Sequence, residues 1–108
     1  DTFMLLSHVF VVTEGGIGTL LELFYTWQLM QVGHICKTPI ILWSKGYKDL
    51  KKFLKKEVLE AGYMSEKDYE LTIQVESMDS VMQLIRMAHK HYEQAGKNAC
   101  VNINQYMA

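Results

Sequence analysis

The chain has 108 residues, of which 49% are apolar and 21% charged. That is ordinary globular composition and, by size, a single domain, since domains cluster near ~100–150 residues. Its 11 basic and 12 acidic side chains leave a net charge of −1; this excludes a disordered chain and a global basic field for nucleic acid or an anionic membrane surface.

Residues 9–13, Val-Phe-Val-Val-Thr, form a continuous run of β-branched and aromatic residues. Such a run predicts a strand buried on both faces, as in a parallel sheet. Gly15, Gly16 and Gly18 follow at once. A helix is predicted over 19–32, with Gly33 at its C′ position. Pro39 opens a second strand over 39–43, the one place in a strand that tolerates proline. The spacing then predicts a helix over 47–61, with Leu50, Phe53, Leu54 and Val58 inward and Lys51, Lys52, Lys55 and Lys56 on a solvated face. Gly62 ends it. Ser65 caps a one-turn helix, residues 71–75 form a third strand, and Asp79 or Ser80 caps a last helix over 79–94. Residues 96–108, polar and rich in asparagine, read as a tail.

The order β-α-β-α-β-α predicts βαβ units on a parallel sheet. Three strands are half of what a doubly wound domain uses, so residues 1–95 read as half of an α/β domain of that kind.

The strand–glycine–helix junction, Glu14-Gly15-Gly16-Ile17-Gly18-Thr19, carries most of the chemistry. Free N–H groups and the positive end of the helix dipole make an anion site there, best suited to phosphate. Leu21 replaces the third glycine of a dinucleotide fingerprint, and no Gly-Lys-Ser/Thr follows, so neither that motif nor a P-loop fits. Thr19 and Glu22 share a helix face. Glu22 is placed near a bound sugar, or, as the fourth residue of Thr-x-x-Glu, closes a capping box; local physics slightly favours the box. Leu20, Leu21, Leu23, Phe24, Tyr25, Trp27, Leu29, Met30 and Val32 surround the helix, which therefore needs a partner on a second face.

The remaining chemistry is sparse. His8 and His34 are isolated, and His89 and His91 point to different faces of one helix. No metal site is expected. Cys36 and Cys100 show no metal spacing and read as reduced thiols of a cytoplasmic protein. No apolar run approaches the ~18 residues of a membrane span, and no secretory leader pattern is visible.

The stretch Gly15-Gly16-Ile17-Gly18-Thr19-Leu20-Leu21-Glu22 resembles the P-G-G-x-G-T-x-x-E signature of the LONELY GUY family of nucleotide phosphoribohydrolases, often labelled lysine decarboxylase-like. Glu14 stands at the proline. Thr26-Trp27-Gln28-Leu29, Lys37-Thr38-Pro39-Ile40, Gly46-Tyr47 and Gly62-Tyr63-Met64-Ser65 extend the resemblance over roughly residues 4–92. It implies a Rossmann-like homodimer that hydrolyses the N-glycosidic bond of a nucleoside 5′-monophosphate, without a cofactor. By the motif, Gly15, Gly16, Gly18 and Thr19 hold the phosphate and Glu22 lies by the ribose. The family's catalytic arginine lies shortly before a helix that residues 1–7 would end, so it would fall before residue 1. Residues 1–95 then resemble the C-terminal part of a Rossmann-like nucleotide-binding domain, from which no activity is expected in isolation. Two other functions stand beside this one. A non-catalytic carrier, like the molybdenum-cofactor carriers of the same superfamily, is favoured by Glu14. Lysine decarboxylation needs a pyridoxal-phosphate lysine for which nothing in the chain argues.

Overall fold

The computed structural model describes residues 3–6 and 8–95; the tail at 96–108, with Cys100, lies outside them. Strands β1 (Phe3–Leu6), β2 (Val9–Val12), β3 (Ile40–Trp43) and β4 (Thr72–Val75) make one sheet in the order β1-β2-β3-β4. Helices α1 (Ile17–Gln31), α2 (Tyr47–Leu54), α3 (Glu66–Tyr69) and α4 (Met78–Ala95) join and flank them. Strands β2, β3 and β4 run parallel, with Val11 opposite Ile41 and Ile41 opposite Ile73. The predicted α/β Rossmann-like arrangement is therefore present.

Both faces of the strands are covered, as their unbroken apolar runs require. Val12, Ile40 and Leu42 face α1 and α2, where Leu23, Trp27, Met30, Tyr47 and Leu54 complete one core cluster. Val9, Val11 and Ile41 face the other way, onto Val81 of α4 with Leu84, Ile85 and Ala88. Pro39 sits just before β3 and loses nothing by lacking an N–H, while its carbonyl accepts from Phe10 N at 3.0 Å. No helix among the described residues is long and apolar enough to cross a membrane.

Five expectations change. Residues 3–6 form no helix end but a fourth, antiparallel strand, with Phe3 opposite Val12 and Leu6 opposite Val9. The open edge of β2 offers them a ready ladder, and their backbone pairs along it. The second helix does not stay α-helical to residue 61, because Lys55–Leu59 is a π turn. On α2 the inward stripe is Tyr47, Leu50 and Leu54, so Phe53 is exposed and Lys51 is drawn in. The α4 cap is Ser77, whose Oγ accepts from Ser80 N at 3.2 Å, and not Asp79 or Ser80. Finally, His8 is not isolated: its ring stacks on Tyr92, with centroids 3.6 Å apart, and faces His89 at 5.6 Å.

The helix ends agree with the glycine signals. Gly33 has φ +80°; its N–H bonds Met30 O at 3.2 Å and His34 N bonds Leu29 O at 2.8 Å, a Schellman motif. Gly62, at φ +88°, ends the π turn in the same left-handed conformation. Ser65 caps α3 as expected, accepting from Asp68 N at 3.1 Å.

Candidate functional site at the carboxyl ends of the parallel strands

In an open parallel sheet, ligands bind beyond the carboxyl ends of the strands, where βα loops and helix N-termini converge. Here the β2–α1 and β3–α2 loops meet at that edge. Glu14, Gly15, Leu20, Ser44, Gly46, Tyr47 and Leu50 line a cleft of about 490 Å³ between them.

The glycine loop enters α1 through Gly16, an extended N-cap at φ −96° and ψ −156° that supplies no side-chain hydrogen bond. The helix opens as a donor surface. Leu20 N is the first amide to close onto the helix, at 3.2 Å from Gly16 O, so Ile17 and Gly18 have no intrahelical acceptor. Gly16, Ile17 and Gly18 are all exposed. No acidic residue lies in the first turn.

Thr19 has a different place from the one local pattern predicts. It is buried two residues inside the helix, not at its cap. Its side chain lies directly beneath Gly15: a Cβ built on Gly15 would come within 2.2 Å of Thr19 Oγ1 and 2.8 Å of Thr19 Cβ. Glycine at 15 is thus a packing requirement. Gly16 and Gly18 have nothing within 4 Å of a built Cβ, which leaves room for a ligand to approach the backbone. With Gly16 as the N-cap, the capping box of Thr19 with Glu22 does not form. Glu22 instead stands exposed one turn into α1. It does not line the cleft between the two loops, so the structure brings Gly15 and Thr19 together but leaves Glu22 outward.

Glu14, the departure from the signature, turns toward the neighbouring loop. Its Oε1 accepts from Ser44 Oγ at 3.1 Å, and Ser44 Oγ in turn accepts from Gly46 N at 3.1 Å. Tyr47 donates to Thr13 O at 2.8 Å. Burial pushes the Tyr47 phenol above its usual range, and the nearby Glu14 carboxylate adds to the effect. Ser44 does not stand out in the sequence, and Tyr47 does so only within the Gly46-Tyr47 segment of the resemblance. Their roles depend on two loops about thirty residues apart meeting in space.

Lys51 lies under the sheet edge. Its Nζ donates to Thr72 O at 2.8 Å, Thr72 Oγ1 at 2.9 Å and Tyr69 O at 3.1 Å, and sits 3.6 Å from the Tyr69 ring centroid. Burial pulls its pKa down to about 8, with Glu70 opposing the shift. All three ammonium donors are engaged, so Lys51 clips α2 to the α3–β4 connection and is no free anion ligand. Among the described residues, no group of three His, Cys, Asp or Glu is arranged to hold a metal.

The outer face of α1 carries exposed apolar side chains at helical spacing: Ile17, Leu21, Phe24, Tyr25 and Val32. Ile17 is 86% exposed and Leu21 68%. Trp27 is not part of this stripe; it is buried within the chain, donating its indole N–H to Asp68 O at 2.8 Å.

A search among curated proteins finds no match to the chain. The family model described as "Possible lysine decarboxylase" matches residues 1–85. That span contains the whole sheet, the glycine loop, α1 and the start of α4. A strand–glycine–helix junction with an uncapped helix start, on a Rossmann-like sheet and within a match of that extent, identifies the chain as a member of the lysine decarboxylase-like family, of LONELY GUY type.

Proposed function

We propose that the protein is a nucleoside 5′-monophosphate phosphoribohydrolase, releasing a free base and ribose 5-phosphate. The observation that carries this reading is the state of Glu22. It is an exposed carboxylate one turn past an uncapped helix start, with the capping duty that would explain it structurally ruled out by Gly16 at the N-cap. In the proposed complex the 5′-phosphate sits on the loop of Gly15, Gly16 and Gly18 at the start of α1, over Thr19. The ribose then extends along the first turn toward Glu22. A carboxylate there stabilises the positive charge that develops at the anomeric carbon as the glycosidic bond breaks, and orients the attacking water.

The same reading includes a homodimer formed through the outer face of α1. Ile17, Leu21, Phe24, Tyr25 and Val32 give that face its apolar area, and Glu22 is exposed at its margin, so the proposed site borders the proposed interface. The carrier alternative drew on Glu14 as a charge that weakens anion binding. With its Oε1 held by Ser44, Glu14 no longer argues for it.

The test is Glu22→Gln in the full natural protein, with AMP as substrate. Gln keeps the size and removes the charge. Ribose 5-phosphate release should fall roughly 10²–10³-fold while AMP binding persists. Thr19→Ala should raise KM instead, by disturbing the loop that holds the phosphate. Near-normal turnover in Glu22→Gln removes the catalytic assignment, and wild-type binding without turnover selects the carrier. Lysine assayed in parallel for decarboxylation should give no product.

A further inference from the structure

We infer that Ser44 is a positioning residue for the glycine loop: it holds the Glu14 carboxylate away from the N-terminal amides of α1 and so keeps them open to an anion. The inference rests on the reading of that loop as an anion site.

Helix α1 has no side-chain cap and no acid in its first turn. Glu14 stands two residues before the N-cap. A carboxylate so placed is drawn to free helix amides by the helix dipole, and could fill the site from within the chain. In the structure its Oε1 is hydrogen-bonded to Ser44 instead. Ser44 is buried, and both its carbonyl and its hydroxyl oxygen are committed. Its carbonyl accepts from Gln74 Nε2 at 3.0 Å, its Oγ accepts from Gly46 N at 3.1 Å, and its one hydroxyl proton goes to Glu14 Oε1 at 3.1 Å. A hydroxyl that accepts from a backbone amide has its proton free for an acceptor on the far side. Gly46 and Gln74 therefore fix where the Ser44 donor points, and Glu14 follows it. The bond from Tyr47 to Thr13 O ties the same two loops together one residue earlier. Proline would restrict the backbone at position 14; here a hydrogen bond from the neighbouring strand end restricts the side chain.

Amide NMR of the 108-residue chain, titrated with inorganic phosphate, tests this. In the wild type, the Gly16 and Gly18 signals should move with phosphate. Ser44→Ala should weaken phosphate roughly three- to tenfold, the range of a charge competing at a helix N-terminus. Ser44→Ala combined with Glu14→Gln should return the affinity to within about twofold of wild type, because no charge is left to compete. Ser44→Thr, which keeps the hydroxyl, should bind like wild type and shows that the fold tolerates change at 44. An unchanged affinity in Ser44→Ala overturns the inference. So does a loss that Glu14→Gln fails to restore, since Ser44 would then act through something other than Glu14. If phosphate moves nothing in the wild type, the anion reading of the loop fails by itself. The phosphate-free spectra then judge the positioning. Gly15, Gly16 and Gly18 signals displaced in Ser44→Ala, by a displacement that vanishes on Glu14→Gln, uphold it; undisplaced signals overturn it.

Discussion

Helix α4 starts on a cap, Ser77, and carries Asp79, Arg86, His89, Lys90, His91 and Glu93 along its length, with His89 bridged to Glu93 at 2.7 Å. Helix α1 covers the opposite face of the sheet, starts on an uncapped glycine, and has one charged side chain, Glu22, among fifteen residues. Exposed methionines occur on α4 too, but charges separate them, whereas the apolar groups of α1 run on as a stripe. The two helices thus differ in how much of their surface the chain itself finishes. α4 closes the core and meets water. α1 leaves both its first turn and its outer face unfinished, and an unfinished surface on a folded protein marks a place of contact.

The largest expected effect breaks that contrast directly. Leu21→Asp should disrupt self-association, because each buried leucine contributes ~1.5–3 kcal/mol, about ten- to a hundredfold in Kd. Met82→Asp on α4 should leave association unchanged. Sedimentation velocity at micromolar concentration compares the two, and a monomeric wild type would show that the α1 stripe has no partner of its own kind.

Next is the loop that starts α1. Gly15→Ala should destabilise the fold by ~1–3 kcal/mol, the usual cost of overpacking, because the added methyl meets Thr19. Gly18→Ala, with open space around it, should change urea stability by only ~0.5 kcal/mol or less. Equal effects would contradict the packing of Thr19 beneath Gly15.

The α1 and α2 side of the sheet also holds a half-buried cation, and it responds to pH. Lys51 loses its proton near pH 8 in the folded chain but only near its ordinary 10.5 when unfolded. Between those values the unfolded state binds more protons, so this group's contribution to stability rises with pH. Below pH 8 the lysine is charged in both states, and the cost of its burial is fully present. Urea midpoints at pH 7.5 and 9.5 should therefore differ less in Lys51→Gln than in the wild type, with the wild type gaining at the higher pH.

The smallest effect is the most informative about purpose. Gly16→Asp places a good cap at an extended N-cap with room for it, and should raise stability by a few tenths of a kcal/mol. It should also weaken phosphate binding, since the new carboxylate takes the amides that the anion needs. A gain in stability without a loss in binding would argue against the amide site.

Strands β2, β3 and β4 were legible because parallel strands buried on both faces leave short, unbroken apolar runs, and Gly33 and Gly62 announced their helix ends. The existence of the glycine loop was equally plain. Its inner geometry was not. Thr-x-x-Glu satisfies the pattern of a capping box, and only the structure, with Thr19 packed against Gly15, shows that the cap lies three residues earlier, at Gly16. Periodicity also chose Phe53 over Lys51 as an inward residue. A lysine stem buries as readily as a hydrocarbon once carbonyls wait for its ammonium, and those carbonyls belong to Tyr69 and Thr72. Residues 3–6 were read through the family resemblance as a helix end, whereas the free edge of β2 made them a strand. Ser44, Tyr47 and the stacking of His8 on Tyr92 are products of tertiary proximity alone.

The single-file order of the sheet bears on how the chain finds its fold. Every strand of the described sheet neighbours the one before it in the chain, so among these four strands no edge has to be held open for one that arrives later. Each βα unit emerging from the ribosome meets an edge already built, and the loop to be closed never exceeds one crossover. Closure entropy grows only slowly with loop length but must be met before a non-local contact can form. A sheet whose strands pair in chain order meets it one connection at a time, a short one for β1–β2 and a helical crossover for each later strand, and this favours vectorial, N-to-C assembly of these four strands.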